Sequence, residues 1–113
     1  MKAFLIDPVA RTIAEVDYDA SDYRNIYKLI DCETFTVAGI NMATSDEVFV
    51  DDEGLLTNER PLYAFQFVGG FQPYAGKGLV VGAPDDEGET TPATLTLEHL
   101  QSITHFGTIN PNF

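Results

Sequence analysis

The chain has 113 residues, 44% of them hydrophobic, with 18 Asp and Glu against six Lys and Arg for a formal net charge of −12. That length suits one domain with its own core, and that apolar fraction argues against disorder. Nucleic acids and anionic membrane surfaces are polyanions, and Lys2, Arg11, Arg24, Lys28, Arg60 and Lys77 are scattered with no two adjacent, so direct nucleic-acid binding and membrane attachment are not expected.

Phe4-Leu5-Ile6 followed by Asp7-Pro8 predicts a short strand ending in a turn, because proline cannot donate to a ladder. Ala14, Val16 and Tyr18 then alternate with Glu15 and Asp17, so a hairpin is expected with its loop at residues 8–10. Tyr23, Ile26, Tyr27 and Ile30 fall on one helical face, with Ser21 as the expected N-cap and a stop near Asp31 or Cys32. Residues 34–40 and 47–50 read as strands, separated by a polar turn. Asp51-Asp52-Glu53-Gly54 reads as a reverse turn, after which Leu55 and Leu56 return to apolar burial.

Residues 61–76 carry no charge. Tyr63, Phe65 and Phe67 repeat with period two and share one face of a predicted strand. Gly69-Gly70 breaks it, and residues 78–82 form another compact strand signal. Residues 84–92 are expected to be an exposed loop. Thr96 can cap a second helix carrying Leu97, Leu100 and Ile103, with Gly107 as its stop.

The expected fold is α+β: a mostly antiparallel sheet of five or six strands with two helices, in the order ββαβββ(β)α. Both helices are expected on one sheet face. Residues 1–107 are expected to form one domain and residues 108–113 a C-terminal tail. Cys32 is the single cysteine, so no internal disulfide can form, which favours a reducing compartment. The N-terminal apolar run is too short for a signal peptide, and no stretch approaches the roughly 20 residues that span a bilayer. A cytoplasmic location is the expectation.

Chemical motifs are sparse. Asp46, Glu47, Asp51, Asp52 and Glu53 offer oxygen ligands, but positions three and six counted from Asp51 hold Glu53 and Leu56, where a calcium loop needs Asp or Asn and then Gly. Gly76-Lys77-Gly78 lacks both ends of a phosphate loop. His99 and His105, six apart, are rotated by about 240° on a helix and cannot chelate together. No elbow around a nucleophilic serine is present, and Cys32 reads as an inert buried thiol. No metal and no cofactor is therefore expected, and no catalytic residue is assigned. Phe71, Gln72, Tyr74 and Lys77, in or beside a glycine-bounded loop, are the candidate partner-binding residues, because aromatic, charge-poor segments mark interface cores. Phe65 and Phe67 read as core. Asp51, Asp52, Glu53, Asp85, Asp86 and Glu87 are the candidate acidic surface.

Four segments carry a family resemblance: the hairpin with Asp7-Pro8, Ile30-Asp31 leading into a strand, residues 50–56, and residues 76–82. Over residues 1–106 the chain resembles small domain-of-unknown-function proteins of phages, plasmids and other mobile elements. Such proteins often carry an Asn-Pro-Arg-Ala-like segment after the acidic turn, partially matched here by Asn58-Glu59-Arg60-Pro61. The resemblance implies a small accessory gene on a mobile element, with no activity to carry over.

Three functional expectations follow. The leading one is a non-enzymatic accessory or interaction protein, acting on a host protein. The second is a nucleic-acid mimic that blocks a cationic DNA- or RNA-binding protein, which requires carboxylates converging on one surface. The third is a small-molecule binding domain or enzyme with a pocket near residues 63–76.

Overall fold

Asp7 shows how a local rule starts the fold. Its carboxylate accepts from the amides of Val9 (3.0 Å) and Ala10 (3.2 Å), closing the turn that Pro8 initiates. In this computed structural model, which describes residues 1–54 and 61–109, that turn joins β1 (Lys2–Asp7) to β2 (Thr12–Asp17) in full antiparallel register from Lys2↔Asp17 to Asp7↔Thr12. Leu55, Leu56 and residues 58–60, on which two of the sequence expectations fall, lie outside the described residues, as do residues 110–113.

The first helix is α1 (Arg24–Ile30), with Ile26 and Ile30 buried. Ser21 does not cap it. The Ser21 hydroxyl donates to Asp19 at 2.6 Å; the N-cap position is Tyr23, which has no side-chain cap bond, and Asp22 just before it accepts from the Arg24 amide at 3.0 Å. That carboxylate suits the partial positive charge of the helix's first free N–H groups. At the other end Asp31 adopts φ 53° and ψ 54°, and the Cys32 amide donates to the Tyr27 carbonyl.

Next come β3 (Phe35–Gly39), β4 (Glu47–Asp51), β5 (Leu62–Phe67), β6 (Tyr74–Ala75) and β7 (Gly78–Val81), then α2 (Leu97–Ile103) and β8 (Thr104–Ile109). Thr96 caps α2 as expected, its hydroxyl accepting from the His99 amide at 3.1 Å. The helix stops at Ile103 and the chain turns directly into β8, so Gly107 lies inside a strand rather than ending a helix. Thr108 and Ile109 belong to that strand, opposite Tyr63 and Leu62.

Among the described residues, two helices and eight strands form an α+β fold with two antiparallel sheets, ordered β2-β1-β7-β4-β3 and β6-β5-β8. The chain crosses between sheets at Gly76, whose φ of +85° suits glycine. Ala38, Val48, Val80 and Phe4 lie opposite one another on one face of the large sheet; Val37, Phe49, Leu79 and Leu5 lie on the other. The first face packs on Phe65, Phe67 and Tyr74 of the small sheet and on Leu100 of α2, and the second packs on Ile26 and Ile30 of α1. The helices therefore sit on opposite faces, not one. Consecutive apolar residues in Phe4-Leu5-Ile6 and in β7, all four of whose residues are buried, have this cause: a strand covered on both sides loses its polar alternation.

Phe65 locks the two sheets together. A Cβ added at Gly78 would lie 2.6 Å from Phe65 Cζ, so glycine at the centre of the large sheet is what admits the ring. Phe65 and Phe67 are buried core, as the sequence indicates.

Candidate protein-binding surface

The acids serve the fold locally before they serve anything else. The Asp51 carboxylate accepts from the Glu53 amide (2.9 Å) and the Asp52 amide donates to the Thr34 carbonyl (3.2 Å), stitching the turn to β3. Asp85 accepts from the amides of Glu87 and Glu89, both at 2.9 Å, while Asp86 and Glu87 face solvent. Asp46 departs from the expected solvated turn. It is 1% exposed and accepts from the Thr94 hydroxyl (2.6 Å) and from the amides of Thr94 (2.8 Å) and Leu95 (2.9 Å). Its lone pairs are committed to tying the start of β4 to the approach to α2.

The acidic clusters do not converge. Val50 lies opposite Gly78 and Glu47 opposite Val81, so Asp51–Glu53 sit at one end of the central strands and Asp85–Glu87 follow from the other. Asp7 and Asp31 share the first end. There Lys77 pairs with Asp31 at 2.6 Å, and that hydrogen bond, then the Coulombic pull of Asp31 and Asp7, raises the lysine pKa. Among the described residues no group of three or more His, Cys, Asp or Glu is placed to hold a metal ion. His99 and His105 are exposed. Burial, reinforced by Asp51 and Asp31, pushes the Cys32 thiol from 9.0 to about 11, the opposite of what a nucleophilic thiolate requires.

The four candidate partner-binding residues separate. Tyr74 is buried, its ring 5.6 Å from Phe65 and 6.4 Å from Phe67 between centroids, and burial raises its phenol pKa. Gln72 and the edge of Tyr74 line a cleft of about 280 Å³ shared with Thr36, Val50, Asp51 and Asp52. Lys77 is turned toward α1 by its ion pair. Phe71 and Gln72 are both exposed, and Phe71 is the apolar one of the pair.

Phe71 has apolar company that the sequence does not announce. Its ring edge lies beside Gly39, where an added Cβ would be 3.6 Å from Phe71 Cε2. Val37 (49% exposed), Met42 (89%), Val68 (51%) and Phe71 (66%) all lie on or next to β3. The side-chain amide of Asn41 donates to the Val68 carbonyl at 3.0 Å, which holds the loop after β5 against the end of β3. This strand is an edge of the large sheet.

Behind the edge, Val37, Phe49 and Val81 floor a groove of about 250 Å³, bordered by Glu47, Pro84 and Thr90. With seven residues, α1 is about 10 Å long at 1.5 Å per residue, and it packs on β7 and β4. The aromatic chain Tyr27–Phe35–Phe49, with centroid separations of 5.2 and 5.5 Å, marks where helix cover ends. The corner where β3 and β4 run on toward Gly39 and Glu47 is left open.

Among the described residues, an antiparallel two-sheet α+β fold with an exposed apolar edge defines the class. The chain belongs to the family described as Domain of unknown function (DUF3846), which matches residues 1–105. No curated protein and no solved structure matches it. Among the described residues no helix is long and apolar enough to cross a membrane.

Proposed function

We propose that this chain is a non-enzymatic accessory protein that acts by binding another protein through the edge of β3. The observation that carries the reading is the exposure of Val37 on an edge strand, with Met42 shortly after it in the chain and with exposed Val68 and Phe71 in the loop that meets its Gly39 end. Single apolar side chains scattered over a surface need no explanation, but several exposed along one sheet edge favour a protein contact there. The resemblance to proteins of phages and plasmids suggests a host protein as the partner and a cytoplasmic setting.

The acids speak against the nucleic-acid mimic, since they divide between the two ends of the large sheet instead of forming one phosphate-like row. The cleft at Gln72, Tyr74, Asp51 and Asp52 keeps a small-molecule site as the second reading, because it sets an aromatic edge beside two carboxylates.

Affinity capture from a host lysate with the wild-type chain and with the double variant Val37→Asp, Phe71→Asp tests the first reading. A partner retained by the wild type and lost from a variant of unchanged thermal midpoint is the expected result. Equal capture by both would rule the β3 edge out.

A further inference from the structure

We infer that the occupant of this edge is a cationic, extended segment of the partner, which adds to β3 as a further strand and lays apolar side chains over Val37. The inference rests on the protein-binding reading and supplies the partner's chemistry.

Natural edge strands are blunted by charge, proline, bulges or cover. Each other edge here has such protection. On β2, Glu15 and Asp17 are exposed. The β6 strand has two residues. On β8, the Arg11 guanidinium donates to the Phe106 carbonyl at 3.0 Å. The β3 sequence is Phe-Thr-Val-Ala-Gly, with no charge and no proline, and among the described residues no strand pairs with its outer side. An unguarded edge offers its backbone N–H and C=O groups to an added strand, while side-chain pockets beside it select the sequence.

Charge selects between occupants. Glu33, Asp52 and Glu53 lie at the Phe35 end of β3, with the Asp52 amide bonded to the Thr34 carbonyl. Glu47 lies opposite Gly39 at the other end, and the loop carrying Asp85, Asp86 and Glu87 borders the same groove through Pro84 and Gly88. Acids thus bracket an uncharged centre. A second copy of this chain would bring a net −12 and the same acid-bracketed edge, so like charges would oppose self-pairing. A segment with Lys or Arg at both ends and alternating apolar residues between them is complementary.

The test uses the full chain and two labelled peptides of about nine residues, a length that covers β3 with its flanks. One is Lys-Lys-Val-Thr-Val-Thr-Val-Lys-Lys; the other has Glu in place of each Lys. By fluorescence anisotropy the lysine peptide is expected to bind, the glutamate peptide to bind at least about tenfold more weakly, and added salt to erase the difference. Amide exchange of residues 35–39 is expected to slow on binding, and Val37→Lys to weaken it about tenfold or more at unchanged thermal midpoint. Failure of the lysine peptide to bind, equal binding of both peptides, or binding without slowed exchange in β3 would overturn the inference. So would a concentration-dependent dimer, seen by light scattering, whose formation alone slows those amides. If the peptide fails but lysate capture still depends on Val37 and Phe71, the edge binds protein in another way and only the strand-addition inference falls.

Discussion

Among the described residues Asp46 is the carboxylate that the fold takes out of water, and nothing in its local sequence distinguishes it from the acids around it. Its burial is tolerable because three donors surround it, and bonds to a charged acceptor stabilise by about 1.5–3 kcal/mol each, whereas a stranded buried donor costs about 1–3 kcal/mol. Asp46→Ala leaves two backbone N–H groups without their acceptor. It is expected to lower the unfolding free energy by about 3 kcal/mol in urea titration, by the same accounting. Thr94→Val removes one of the three donors and should cost about 1.5 kcal/mol. A loss under about 1 kcal/mol for Asp46→Ala would mean that the carboxylate is not the tie described above.

At the scale of elements, β8 is the strand whose absence would be most damaging for its length. It pairs with all six residues of β5, brings Phe106 against the core, and buries Thr104, whose hydroxyl donates to the Leu100 carbonyl at 2.6 Å. A chain ending at Ile103 would expose the β5 ladder and is expected to lose cooperative thermal unfolding. The half-buried Phe106→Ala is expected to cost about 2 kcal/mol, less than the 3–5 kcal/mol of a fully buried Phe. A sharp transition in the truncated chain would show that the large sheet folds without this strand. Sequence periodicity misses β8 for a physical reason. The strand follows α2 with no turn residue between them, and Gly107, which ordinarily stops helices, sits in its middle. The hairpin, β3, β4, β7 and the Thr96 cap are legible because each rests on neighbours in the chain. The opposite placement of the helices and the edge position of β3 depend on pairings between distant residues, such as Val48 with Val80. Phe71 can be picked out as exposed from its glycine-bounded loop. Val37 cannot, because an edge strand and an inner strand share the same β-branched composition.

For the whole molecule, the arrangement of charge matters more than its sum. Acids gather at the two ends of the large sheet, about 20 Å apart for strands of six residues. The Debye length is about 30 Å in 10 mM salt and about 8 Å at 150 mM, so at low salt each acidic end feels the other as well as itself. Screening removes the first repulsion almost entirely and weakens the second. The thermal midpoint is therefore expected to rise between 10 mM and 500 mM NaCl by about 5 °C, equivalent to about 1 kcal/mol for a domain of this size. Potassium chloride should act identically. Magnesium or calcium chloride should follow the same curve when plotted against ionic strength, because Asp51 and Asp85 already spend oxygen lone pairs on their own turns. Stabilisation that saturates at micromolar calcium would instead reveal a bound ion. A midpoint indifferent to salt would mean that the acidic ends do not burden the fold, and that electrostatic selection at the β3 edge is weaker than its flanking acids imply.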